Sequence, residues 1–444
     1  MSKLPDFSSE RIEVDLDAHA FNREAWEIGW GDGLPLLPPT PEVVARYIDA
    51  AGISADTVVC NVPPRFSDCT VENVAINAAM TGAPEAAMPL LIAALRAMGD
   101  GDFALSSVNS TTAPVVEGLI VNGPMRHELG LPMSHSVFGG MRSTAPAIGR
   151  TLRLIMRHVG GQEGGTTSQS VFGQPARVCG MVMGEWEEKS PWAPFAERRG
   201  VSGDAVTVIP MMGTANIVDT FADTADAILT MLARSIAYMG ANAFLAVTRF
   251  SDFTIALNPV WATIVANEHP DITEVEQLIW QKAGLSLDEF PPVYAKSIAH
   301  RADEKGFVQL LQAPTDLNII VCGSEGSLHS AMLPGFSHSL AVTRPVDTFG
   351  AAAQRPMLDK AQLEQAISGF SAGLVAEGYN VITTPLEGGR VSVEIQPIGD
   401  VCPTCLAPAQ IMGPMAALAI RKAGIEIADS DVEMIYPAAA EIGH

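Results

Sequence analysis

The chain has 444 residues, 48% of them apolar and only 17% charged. That composition excludes a disordered chain, because so apolar a sequence can bury enough surface to fold, and the length suits about two to four domains. The net charge of −23, from 50 acidic and 27 basic residues without a basic run, excludes nucleic acid and anionic membrane surfaces as expected partners, since a polyanion would be repelled.

The first twenty residues, MSKLPDFSSERIEVDLDAHA, carry no apolar stretch after their lysine, so no signal peptide is expected. Helix signals follow. In PPTPEVVARYIDAAG, Thr40 caps, Pro41 takes the first turn and Gly52 stops the helix; CTVENVAINAAMTG repeats the logic with Thr70 and Gly82. AAMPLLIAALRAMG is short and contains Arg96, which marks a core helix rather than a membrane span. Residues 41–100 therefore read as a helical layer, and residues 1–100 as the N-terminal part of the main domain.

Residues 101–345 read as an α/β main domain. Short apolar runs, GLIVNG, RVCGMVMG, AVTVIPM, AFLAVT and LNIIVCGS, alternate with the helical patterns APAIGRTLRLIMRHVGG, DTADAILTMLARSIAYMG and VEQLIWQKAG. Alternation of this kind predicts a multi-strand mixed or parallel sheet covered by helices. Residues 356–440 read as a smaller C-terminal α+β domain in the order α-β-β-α-β, with LEGG as a hairpin turn. No convincing internal repeat is visible in the sequence.

Four stretches, GWGDGLPLLPPTPEVVARYIDAAG, VPPRFSDCTVENVAINAAMTG, LIVNGPMRHELGL and GEWEEKSPWAPF, together with GSEGSLHSAMLPGFSHSLAVTRP, resemble a poorly characterised bacterial family associated with UGSC-type selenocysteine or cysteine proteins. The likeness covers residues 20–345. It implies little about activity, since the family has no settled reaction. Where the family carries histidines, this sequence has Ala113 and Ala215, which weakens any histidine-based metal site implied by the resemblance.

Several stretches carry candidate chemistry. Cys402 and Cys405, in GDVCPTCLAPAQ, precede a helix expected to start near Leu406, where free amides and the helix dipole lower a thiol pKa. They read as a redox or nucleophilic dithiol, as half of a zinc site needing Cys322, Cys179 or His329 from elsewhere, or as small buried thiols at a helix start. No cofactor is expected, and zinc is the minor alternative. In NIIVCGSEGSLHSAML, Gly323, Ser324, Gly326 and Ser327 form an amide-rich turn able to hold an anion, with His329 beside it as acid–base or as a satisfied histidine after a strand-to-helix turn. Arg65, on a loop stiffened by two prolines, suits a carboxylate; Glu72, Asn73 and Asn77 follow on one helix. Around the VNGP strand, Asn109, Thr111, Thr112, Asn122, Arg126 and His127 line a pocket or close turns. The loop GEWEEKSPWAPFAERRG reads as a lid or subunit contact.

These observations converge on a cytoplasmic, homo-oligomeric enzyme for a small polar, anionic molecule, the cytoplasm being inferred from only six cysteines. In the leading reading Cys402 or Cys405 reacts, His329 moves protons, and Arg65 with the turn holds the substrate. The alternatives are a cofactor-independent hydrolase or lyase using Asn122, His329 and Glu72, and a non-catalytic ligand-binding or assembly protein on an enzyme scaffold.

Overall fold

A computed structural model of the chain describes residues 7–15, 17–326, 328–347, 358–386, 390–398, 409–423, 425, 427 and 432–436. The chain divides into two compact units, Met1–Asp347 and Thr348–His444. Both mix helices with sheets, as the α/β reading expects.

Local signals place the first helices. Pro41–Ala51 begins after Thr40 and ends at Gly52, whose φ of +68° is a left-handed conformation that costs glycine nothing. Val71–Thr81 opens with a capping box: Asn73 N donates to Thr70 Oγ1 at 3.3 Å, and Thr70 N donates to Asn73 Oδ1 at 2.9 Å. Thr70→Ala is expected to lower stability by about 1 kcal/mol in urea unfolding; an unchanged midpoint would mean that the first turn is held by its neighbours alone. The helical layer expected over residues 41–100 is interrupted. A hairpin, β1 (Val58–Val62) and β2 (Ser67–Thr70), lies between the two helices, where β-branched residues favour extended backbone and Pro63 and Pro64 begin the turn.

Ten further strands follow among the described residues of this unit: β3 (Val116–Asn122), β4 (Met181–Gly184), β5 (Ala205–Met211), β6 (Ala215–Val218), β7 (Phe253–Leu257), β8 (Gly284–Ser286), β9 (Phe307–Gln309), β10 (Leu317–Val321), β11 (His329–Pro334) and β12 (Val342–Pro345). AFLAVT, expected to be a strand, is not one. Asn242–Phe244 is a short 3-10 turn that buries Ala243 and Phe244, and the strand forms ten residues later as FTIAL. The turn after β10 leads into β11, not into a helix.

Two four-stranded sheets carry the unit, in the orders β12-β5-β3-β4 and β6-β11-β7-β10. Their topologies repeat. β3 is parallel to β4 and antiparallel to β5; β7 is parallel to β10 and antiparallel to β11. The fourth place in each sheet is filled by a strand from the other half: β6 follows β5 in sequence but pairs with β11, and β12 follows β11 but pairs with β5. The halves share Asn122 and Asn258 at the ends of β3 and β7, and Pro210 and Pro334 opposite the starts of those strands. So few common residues explain why the repeat is invisible in the sequence. At the second crossing Gly335 is obligatory, since a Cβ there would lie 2.1 Å from the Asp252 carbonyl oxygen.

The sheets pack face to face. Val116, Ile120, Met183 and Ile209 of the first meet Ala256, Ile320, Cys322 and Leu333 of the second. The outer face of the second sheet, through Phe253, Ile255, Leu317 and Ile319, is covered by the helices Ala225–Ile236, Pro259–Glu268 and Ile272–Lys282. On the first sheet, Met88–Met98 packs against β5 and β12, and Ala145–His158 against β4. Helix, sheet, sheet and helix thus form four layers. Val71–Thr81 lies on Ala145–His158, and Pro41–Ala51 on Val71–Thr81, adding an outer tier.

The second unit has the expected order: helix Lys360–Ala376, β13 (Tyr379–Pro385), β14 (Val391–Pro397), helix Ala409–Lys422 and β15 (Val432–Ile435). β14 runs antiparallel to β13 and parallel to β15. Leu363 and Ile367 of one helix and Ala416, Ala417 and Ile420 of the other pack on Val391, Val393 and Val432. Cys402, Cys405 and Leu406 lie outside the described residues, as does part of LEGG.

Candidate functional site

A cavity of about 710 Å³ lies on the outer tier of the first unit. Each wall is set by a local feature. The β1–β2 turn brings Arg65 over the loop after Ala145–His158: Arg65 N donates to Gly160 O at 3.0 Å. Gly161, with φ +71°, is required there, since a Cβ would fall 2.4 Å from Arg65 Nε. The second wall is Val71–Thr81, where Asn73 and Asn77, four residues apart, share one face. The third is the end of Ala145–His158, with Arg157, His158 and Gln162. The N-terminal segment, with Ser9 and Arg11, closes the fourth side, and Arg11 sits over the Phe7 ring at 5.0 Å.

Glu72 holds that segment in place. Its carboxylate accepts from Ser8 N, Ser8 Oγ and Ser9 N, each at 2.9 Å. Burial works to raise its pKa, but the hydrogen bonds from Ser9 and Ser8 outweigh it and keep the carboxyl below the ordinary value. Glu72 is therefore an ionised latch with its acceptor sites in use. Arg65, by contrast, forms no ion pair with a described carboxylate, and among the described residues Arg157 donates to Gly29 O alone, at 3.4 Å. Glu10 and Glu163 also border the cavity.

His158 is the cavity's imidazole. Nε2 lies 2.9 Å from Trp30 O, and Nδ1 lies 2.7 Å from Asn77 Oδ1, whose Nδ2 donates to Asn73 O at 2.8 Å. Burial depresses its pKa most, aided by Arg157; the Trp30 carbonyl and Asp32 oppose the shift without reversing it. Behind the cavity, Gln162 Nε2 donates to Asn109 O at 2.9 Å, Asn109 Nδ2 donates to Pro63 O at 2.8 Å, and Arg153 donates to Gln162 Oε1. These bonds fix the Arg65 loop to the sheet core.

The other expected site residues are placed elsewhere. Asn122 is buried at the end of β3, with Nδ2 donating to Glu185 Oε2 at 2.6 Å and Glu187 Oε1 at 2.8 Å, and Oδ1 accepting from Ala196 N at 3.3 Å. With Arg126, which binds Glu187 and Glu188, it ties GEWEEKSPWAPFAERRG down across the strand ends. His127 Nε2 lies 2.9 Å from Glu188; although burial works to raise the Glu188 pKa, Arg126 and His127 bring it down to about 2. Burial pushes the Glu185 carboxyl up, and burial together with Glu185 pushes the Cys322 thiol up to about 12. Cys322 is thus a packed core thiol.

His329 is exposed at the start of β11, its Nδ1 3.2 Å from Asn216 Oδ1. Gly323 N donates to Met133 O at 2.9 Å, and Gly326 N to Ser324 Oγ at 3.3 Å, so two amides of the expected anion-binding turn are used internally. Ser327 lies outside the described residues. Thr111 Oγ1 accepts from Ala113 N at 3.2 Å, closing a local turn, and Thr112 O accepts from Val171 N at 3.0 Å, joining two distant segments. Among the described residues no group of three or more His, Cys, Asp or Glu side chains is placed to hold a metal, and no helix is long and apolar enough to cross a membrane.

The structure thus joins Arg65 and Glu72, with Asn73 and Asn77, at one cavity. Sequence reasoning missed Arg157, His158 and Gln162. The signal available was RHVGGQEGG, a basic helix end running into paired glycines.

No protein-family model matches the chain, and no curated protein matches it.

Proposed function

We propose that the protein is an enzyme for a small polar, anionic molecule, and that the anion is held by Arg65 in the cavity under the N-terminal segment. The observation that carries this reading is the exposed Arg65 guanidinium, without a carboxylate partner among the described residues, in a cavity also lined by Asn73, Asn77 and Arg157. Arg65 supplies a fork of donors matched to a carboxylate, and Asn73 Nδ2, which has no hydrogen bond among the described residues, supplies a neutral donor for the rest of the ligand. In a hydrolase or lyase working here, His158 is the imidazole lining the cavity in place of His329, and it moves a proton only on releasing its Asn77 Oδ1 or Trp30 O contact. Thiol chemistry at Cys402 and Cys405 rests on the sequence alone. The likeness to UGSC-type proteins suggests ancestry and adds no reaction. Homo-oligomerisation in the cytoplasm belongs to the same reading, and the exposed side chains of Met141, Val171 and Phe172 offer apolar surface that an assembly would bury.

The test is calorimetric titration with succinate, citrate and inorganic phosphate. At least one should bind, and Arg65→Ala should weaken it about ten- to a hundredfold, the scale of a charge-assisted hydrogen bond worth about 1.5–3 kcal/mol. Binding that Arg65→Ala leaves unchanged, or none by the wild type, would refute the proposal.

A further inference from the structure

The β1–β2 hairpin carries two of the chain's six cysteines on adjacent antiparallel strands, with Cys60 directly opposite Cys69. Residues facing each other in this way have Cα atoms about 4.5–5.5 Å apart, inside the range of about 4.4–6.8 Å that a disulfide spans. Both are free thiols. Their environments differ: Cys60 is partly exposed, whereas Cys69 is wholly buried. The Cys60 side chain beside it and burial together push the Cys69 thiol far above its ordinary range. Gly99 leaves room for Cys60, as a Cβ there would stand 3.0 Å from the Cys60 Cβ. Among the described residues the hairpin is a two-stranded sheet, and no third described strand fixes the separation of the two sulfurs.

We propose that Cys60 and Cys69 are a thiol–disulfide pair that a low-molecular-weight disulfide of the glutathione class oxidises to a cross-strand bridge. Cys60 is the entry point because it is the accessible thiol. Its thiolate attacks one sulfur of the small disulfide RSSR, forming Cys60–SR and expelling RS⁻, which takes up a proton. Cys69 then attacks the Cys60 sulfur, forming the bridge and expelling the second thiolate, which takes up the proton that Cys69 loses. The two protein thiols lose two electrons, and RSSR is reduced to two RSH. In a reducing compartment such a bond is transient and reports the thiol poise. The ring it closes contains Arg65.

Trypsin cleaves after Arg65 and so places the two cysteines on separate peptides, residues 47–65 and 66–96. The full chain is treated with oxidised glutathione, blocked with iodoacetamide, digested without reductant and mapped by mass spectrometry. The expected product is the two peptides joined by a disulfide, which dithiothreitol separates. Cys69→Ser is expected to stop at a glutathione adduct on Cys60, and Cys60→Ser to leave Cys69 without an adduct. Both cysteines carbamidomethylated in the oxidised wild type, either one bridged to a different cysteine, or an adduct on Cys69 in folded Cys60→Ser would overturn the proposal.

Discussion

Glu117→Ala is expected to lower the stability of the first unit by about 3–5 kcal/mol, the cost of stranding one member of a buried ion pair. Glu117 projects from the central strand β3 and is 1% exposed. Both its oxygens accept from Arg153 Nη1, at 3.0 and 2.7 Å, while Arg153 Nε donates to Arg177 O at 3.1 Å. Without Glu117, a buried guanidinium keeps its carbonyl and Gln162 partners but loses its counter-charge. Removing both charges, as in Glu117→Met with Arg153→Met, should cost less than the single change, because no uncompensated ion remains. All six tryptophans lie in the first unit, so urea unfolding followed by tryptophan fluorescence reads that unit directly. A loss under about 1 kcal/mol would show that water reaches Arg153 and replaces the carboxylate. Gln162 lines the cavity, so the same variant should also loosen the Arg65 loop.

Asp252→Asn is expected to stabilise the first unit above pH 7 and to remove a slope in its pH profile. Asp252 precedes β7 and is buried; its Oδ2 accepts from Ala341 N at 2.6 Å and Asn318 Nδ2 at 3.1 Å. It thereby joins the second sheet to the segment that crosses into β12. Burial pushes its pKa up from 3.8 to about 7; the Ala341 and Asn318 hydrogen bonds and Arg199 only partly offset this, and Asp316 adds to it. Because the folded value lies above the unfolded one, the native state binds the extra proton between about pH 4 and pH 7. Stability falls as pH rises through that window and is level above it. A rise from 3.8 to about 7 corresponds to about 4 kcal/mol, an order-of-magnitude figure for this one group. Asparagine keeps an acceptor for Ala341 N and carries no charge, so the variant should lack this part of the decline. Parallel slopes for both proteins between pH 4 and pH 7 would show that Asp252 ionises freely in the folded state.

Those two residues mark where sequence reading stopped. Glu117 stands inside VVEGLIVNG, a run legible as a buried strand, yet nothing local says that its partner is Arg153, 36 positions on, within a helix read for its apolar face. Asp252 sits before FTIAL, which forms the strand that the sequence reading expects at AFLAVT. Both runs are short and apolar, and what separates them is that FTIAL finds β10 and β11 as neighbours. Arg65 was legible because two prolines stiffen its approach. His158 was not, because its histidine lies in a helical pattern, and only the packing of Val71–Thr81 on Ala145–His158 brings Asn77 to it.

The sequence by itself determined what depends on neighbouring residues: the starts and stops of Pro41–Ala51 and Val71–Thr81, the alternation of strands and helices that makes the protein α/β, and the α-β-β-α-β order of the second unit. Caps, turn glycines and hydrophobic periods act over a few residues, so they can be read from a few residues. The tertiary structure alone decided the exchange of β6 and β12 between two like sheets, the ion pair beneath the cavity, and the gathering of Arg65, Asn73, Asn77 and His158 around it. Each of these depends on burial and on pairing between distant segments, and a strand's own residues do not encode which partner will remove them from water.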